Sequence, residues 1–147
     1  MTIESLNLWH KRARPAPTEE SFNVQLGCHL EEVVEMLATL YISEDGEGFD
    51  EAWNARVWLN RCAEELKNGE YTATISNRKE LLDSLADQIV TAVGVAHCAQ
   101  MNIVAACEEV NTSNWSKFDS NGMPDFDSNG KVTKPPSYKP PNLDGMY

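Results

Sequence analysis

The sequence predicts an all-α protein, and three observations carry that reading. Apolar residues recur at helical spacing in three stretches, within about 21–42, 50–67 and 78–109. Capping and stop residues bracket those stretches. Only "YTATI" (71–75) is β-prone, and it is short enough to be an extended linker. The 147 residues suit one domain over 1–147, with a helical core at about 18–110 and a tail at about 111–147.

Before the first of these helices, "MTIESLNLWHKRARPAP" reads as an irregular arm closed by Pro15 and Pro17. Thr18 is an expected N-cap, with Glu19 and Glu20 where carboxylates suit the helix dipole. The following helix, Ser21 to Ile42, carries an apolar stripe of Leu26, Leu30, Val33, Val34, Leu37 and Tyr41, and "SEDGEG" ends it. A second helix spans Asp50 to Lys67, with Trp53, Val57, Leu59, Cys62 and Leu66 on its apolar side and Asn68-Gly69 as its stop. Asn77 and Glu80 form a capping-box pattern that opens a long helix, Arg78 to Glu109. It is apolar on most sides, so a central position and a bundle completed by oligomerisation are expected; Gly94 marks a bend or a close helix contact.

After Asn111 the texture changes. Five of the seven prolines and three glycines fall in the tail, which is too turn-rich to be helical throughout. Trp115, Phe118, Phe126, Val132, Tyr138 and Leu143 can anchor it to a surface.

The formal net charge of −11 argues against nucleic acid as a partner, because phosphate binding needs a basic face. It leaves room for a nucleotide, since a metal ion can bridge acids and phosphates. Cys28, Cys62, Cys98 and Cys107 lack zinc-like spacing and read as buried free thiols. The apolar stretch 89–107 is interrupted by His97, Gln100 and Asn102, so a buried helix is expected rather than a membrane span. With no apolar signal core at the N-terminus, the cytoplasm is the expected location.

Two acidic signals compete for attention. "DFDSNG" (125–130) matches the first half of a calcium loop, and "FDSNG" (118–122) nearly repeats it. The closing position of that loop falls on Pro136 instead of Glu, and Lys117 stands where the first copy needs Asp. Two Asn-Gly turns are therefore expected. The second signal lies on helices. Glu32 and Glu35 share a face in "HLEEVVEML", with Glu31 one turn before Glu35. Asp83 and Asp87 are one turn apart in "ELLDSLADQI", with Glu80 a turn earlier. Like charges among apolar residues call for a compensating cation, and all-oxygen donors suit Mg²⁺, with Mn²⁺ as a substitute.

"EEVVE" followed by "DSLAD" resembles the MazG-like all-α nucleoside triphosphate pyrophosphohydrolases, which share a superfamily with phosphoribosyl-ATP pyrophosphohydrolases and dimeric dUTPases. The tail segments "EEVNTSNWSKF" and "NGKVTKPPSYKPPNL" look like those of small phage and bacterial members. The likeness covers roughly Phe22 to Leu143, least well around 43–76. Glu32 and Glu35 match the first acidic pair of the family, and Asp87 the last Asp. The expected Glu of the second pair falls on Ser84, so Asp83 is the best substitute for the fourth ligand and Glu80 the reserve.

The resemblance implies a homodimer or homotetramer that cleaves a nucleoside triphosphate to the monophosphate and pyrophosphate, in the host cytoplasm if the protein is phage-encoded; some phage relatives act on dGTP. Glu32, Glu35, Asp83 and Asp87 would hold Mg²⁺, and Glu32 or Glu35 would take a proton from the attacking water. Lys117, Lys131 and Lys134 are expected to contact phosphates, and Asn114 the sugar or a phosphate; surface lysines are the alternative. Gln25 and His29, about two turns and one turn before Glu32, are expected to face the base, His29 with a structural role as its alternative. Trp53 and Trp58 read as core before base-stacking residues. The rival functional reading is a non-enzymatic calcium-binding or helical interaction module.

Overall fold

The computed structural model describes residues 3–42 and 51–147. "SEDGEG" and Asp50 lie outside them. The described residues form five helices and no strand: α1 (Ile3–Ala13), α2 (Glu19–Ala38), α3 (Glu51–Lys67), α4 (Arg78–Cys98) and α5 (Ile103–Trp115). The protein is all-α. None of these helices is long and apolar enough to cross a membrane. The chain divides into two compact units, one of Pro17–Ala73 with Phe126–Lys131, the other of Met1–Ala16, Thr74–Asp125 and Val132–Tyr147.

The unit built on α2 and α3 is a packed helix pair. Thr18 caps α2 through a reciprocal box: its hydroxyl accepts from the Ser21 N–H at 3.1 Å, and the Ser21 hydroxyl accepts from the Thr18 N–H at 2.8 Å. Asn23, Val24 and Gly27 are the buried residues of α2, and Ala52, Ala63 and Leu66 are buried on α3. Gly27 permits the close approach, because a Cβ there would lie 2.7 Å from the Ala63 carbonyl oxygen. A left-handed Gly69 ends α3, with Glu70 N–H donating to the Glu65 carbonyl at 2.9 Å in the Schellman pattern. The expected stop at Asn68-Gly69 is therefore real. The expected apolar side holds in part: Leu66 is buried and Leu59 and Cys62 half-buried, but Trp53 and Val57 are exposed, and Trp53 and Trp58, at 55% and 67% exposed, are not core. Beside Leu66, burial on α3 goes to small Ala52 and Ala63, and small residues let helices approach closely.

In the other unit, the arm expected before Pro15 is a helix. Glu4 stands in the first turn of α1 and His10, Lys11 and Arg12 in the last, both favourable to the helix dipole. Trp9 and Ala13 bury their side chains against Phe118, flanked by Trp115 and Val132. The Trp9 indole N–H donates to the Asn114 carbonyl at 2.8 Å. Arg12 Nε donates to the Gly122 carbonyl at 2.9 Å, which ties α1 to the first tail turn.

The expected continuous helix 78–109 is two helices. Asn77 caps α4, accepting from the N–H groups of Lys79 and Glu80, which is the Asn77 half of the expected box. The chain breaks at Gln100, which takes a left-handed φ of 61°. Gln100 N–H donates to His97 and Met101 N–H to Ala96, a Schellman ending with Gln where Gly is usual. Asn102 then caps α5. α4 continues through Gly94, and the expected close contact is not there: nothing among the described residues lies within 4 Å of a Cβ placed at it. Within the single chain α4 buries only Ala96. The thiols are also less covered than expected, with Cys28, Cys62 and Cys107 half-buried and Cys98 exposed.

The tail returns along α5. The Ser113 hydroxyl donates to the Lys139 carbonyl at 2.7 Å and lies 3.2 Å from the Tyr138 hydroxyl. Asn142 N–H donates to Glu109 at 3.0 Å, and Asn102 N–H to the Met146 carbonyl at 2.7 Å. The bonds at Ser113 and Glu109 use side chains of α5 in place of a ladder, which suits a proline-rich segment that lacks regular donors.

Candidate functional site

On α2, Gln25, His29 and Glu32 recur at i, i+4 and i+7 and so share a face. Gln25 and His29 are half-buried, and Glu32 and Glu35 are exposed. Glu31 belongs to the side that meets α3. Its carboxylate accepts from Lys67 Nζ at 2.9 Å and from Lys131 Nζ at 2.8 Å. Hydrogen bonding from Lys131, then from Lys67, holds the Glu31 carboxyl below its usual range. The same bond to Glu31 raises the Lys131 ammonium above its usual range.

Asp83 and Asp87 lie one turn apart on α4, both exposed, with Glu80 in the first turn of the same helix. Each acidic pair thus offers two carboxylates from one helix face. The Glu32–Glu35 pair belongs to the α2–α3 unit and the Asp83–Asp87 pair to the unit of α1, α4 and α5. Among the described residues no group of three or more His, Cys, Asp or Glu side chains gathers in one place. The donors fit Mg²⁺ in kind, being hard carboxylate oxygens exposed enough to leave room for water and phosphate ligands.

Three tail residues expected at the substrate do come together. Lys117 Nζ donates to Asn114 Oδ1 at 2.8 Å and stands 5.9 Å from the rings of both Trp9 and Tyr138. Lys134 Nζ lies 5.1 Å from the Tyr138 ring. Tyr138 therefore carries two ammonium groups and anchors to α5, as the tail reading anticipated. Lys131 belongs to the α2–α3 unit, where it pairs with Glu31.

The two FDSNG copies are the same turn made twice. Asp119 Oδ1 accepts from the N–H groups of Asn121 and Met123 at 2.9 and 2.8 Å. Asp127 Oδ1 accepts from those of Asn129 and Lys131, both at 2.9 Å. Gly122 and Gly130 take the left-handed φ values of 70° and 79° that such a turn requires. In both, Asp and Gly serve the backbone, and the backbone bonds hold the Asp119 carboxyl below its usual range.

Sequence reasoning missed the Glu31 clamp, the Gly27 contact and Asn23. Asn23 is 8% exposed, and its Oδ1 accepts from the Ala73 N–H at 3.0 Å. A polar residue beside the apolar Phe22 and Val24 was the available signal for Asn23. Nothing local marks the partners of Glu31. Comparison with protein families, with curated proteins and with solved structures returns no match.

Proposed function

We propose that the protein is a Mg²⁺-dependent, MazG-like nucleoside triphosphate pyrophosphohydrolase, with dGTP or GTP as one specialisation. The observation that carries this reading is the pairing of carboxylates on two helices. Glu32 with Glu35 on α2, and Asp83 with Asp87 on α4, each stand about one turn apart and exposed. In an all-α chain that also carries the tail motifs, two such pairs suit a metal–triphosphate site better than a solvated surface.

Glu32, Glu35, Asp83 and Asp87 would hold the ion, with Mn²⁺ as a substitute. Once bound, Mg²⁺ neutralises phosphate charge and makes water a stronger nucleophile. Glu32 or Glu35 accepts the proton of the attacking water. Lys117 and Lys134 contact phosphate oxygens, with Asn114 holding Lys117 or the sugar. Lys131 spends one N–H on Glu31 and keeps two for a phosphate. Gln25 and His29 share the Glu32 face and read the base. No side-chain nucleophile takes part; positioning and electrostatics supply the rate.

A homodimer or homotetramer in the cytoplasm completes the reading. α4 leaves Leu82, Ile89 and Val90 at 71%, 51% and 67% exposed, an apolar face suited to a second helix. The test is a panel of ribo- and deoxynucleoside triphosphates with Mg²⁺, assayed for pyrophosphate. Release from at least one supports the proposal, and release from none counts against it.

A further inference from the structure

The α2–α3 unit holds an open cleft of about 650 Å³ between the start of α2, the end of α3 and the second tail turn. That size lies in the range of small-molecule sites. Val24 and Leu66, 3% and 7% exposed, give it an apolar floor. Its wall holds a pair of carboxamides: Asn129 Nδ2 donates to Asn68 Oδ1 at 3.1 Å. The hydrogen bonds of the described residues engage neither Asn68 Nδ2 nor Asn129 Oδ1, so the pair offers one donor beside one acceptor. Asn23 also lines the cleft, and with its Oδ1 given to Ala73 its amide hydrogens are the groups left for a ligand.

We propose that this cleft binds a nucleobase, as the free base or the nucleoside. A flat ring resting on Val24 and Leu66 needs an edge carrying an acceptor next to a donor to match Asn68 and Asn129. Nucleobases carry such edges, and paired hydrogen bonds from a carboxamide are a usual way to read them. The cleft disfavours a phosphate ester. Glu19 and Glu20 line it, and its one cation, Lys67, already donates to Glu31.

The cleft lies on the side of α2 away from the Glu32 carboxylate of the proposed metal site. Asn23 and Glu32 are nine positions apart on α2, about half a turn out of phase, so they point to opposite sides.

Calorimetry on the full chain tests it, with guanosine, adenosine, cytidine and uridine, each set against its 5′-monophosphate, in the absence of divalent metal. At least one nucleoside is expected to bind, its monophosphate about tenfold more weakly. Asn68→Asp, which replaces the free donor by an acceptor, should weaken that nucleoside by about tenfold or more while circular dichroism stays unchanged. Asn129→Ala should weaken it as well. Binding of no nucleoside, tighter binding of the monophosphates, or affinity unmoved by Asn68→Asp in a folded protein would overturn the proposal. Because no triphosphate is used, a failure here leaves the hydrolase reading standing, and the reverse also holds.

Discussion

Lys131 and Glu31 lie 100 positions apart in the chain and meet at 2.8 Å. Lys67 holds the other oxygen of the same carboxylate at 2.9 Å, so one glutamate fastens α3 and the second tail turn to α2. Bonding depresses the Glu31 carboxyl, so its stabilisation is present above the unfolded carboxylate value and is lost as pH falls through the folded one. The raised Lys131 ammonium contributes below the unfolded lysine value and is lost as pH rises through its folded value. Between those ranges the clamp is fully formed. Denaturant midpoints measured from neutral pH into acid should therefore fall in part through Glu31, and Glu31→Gln should flatten the slope. An equal acid slope in both proteins would contradict the clamp.

Gly27→Ala should destabilise the α2–α3 pair. The added methyl would stand 2.7 Å from the backbone oxygen of Ala63, which cannot rotate away. Overpacking of this kind costs about 1–3 kcal/mol, which outweighs the roughly 1 kcal/mol that alanine adds to a helix interior. Urea midpoints of the two proteins decide it. A midpoint higher in the variant would show that the helices separate freely.

Trp9→Ala should cost about 3–5 kcal/mol, as expected for a large aromatic lost from a core. The ring is 9% exposed and packs edge-on against Phe118 with centroids 5.6 Å apart. Trp9→Phe keeps an aromatic ring but loses the bond to the Asn114 carbonyl, so a smaller loss, roughly 1 kcal/mol for the bond itself, is expected. Thermal melts of the three proteins should rank wild type, phenylalanine and alanine in that order.

The legible parts of the fold were those with local chemistry. Thr18 and Asn77 announced their helices through capping, and Asn68-Gly69 ended one through a left-handed glycine. Gln100 was hidden because it takes the same conformation without being glycine. α1 was hidden because Pro15 and Pro17 drew attention to where the chain stops being helical rather than to Ile3–Ala13 before them. Of the candidate site, the two carboxylate pairs could be placed on helix faces by spacing alone. The Lys67–Glu31–Lys131 clamp joins residues distant in sequence, and no periodicity reports such a contact.

The proposed ligand roles separate by substitution. Glu35→Gln should abolish turnover and leave helical circular dichroism intact, because Glu35 is exposed and no packing depends on it. Asp83→Ala is expected to reduce turnover far more than Glu80→Ala, since Asp83 and Asp87 share one face of α4 a turn apart. The opposite ranking would move the fourth ligand to Glu80.

The measurement that bears most directly on the proposed activity is phosphorus NMR of the wild-type protein incubated with nucleoside triphosphates and Mg²⁺. The proposal requires monophosphate and pyrophosphate in equal amounts from at least one nucleotide. Orthophosphate with a diphosphate, or no conversion of any nucleotide tested, would contradict it.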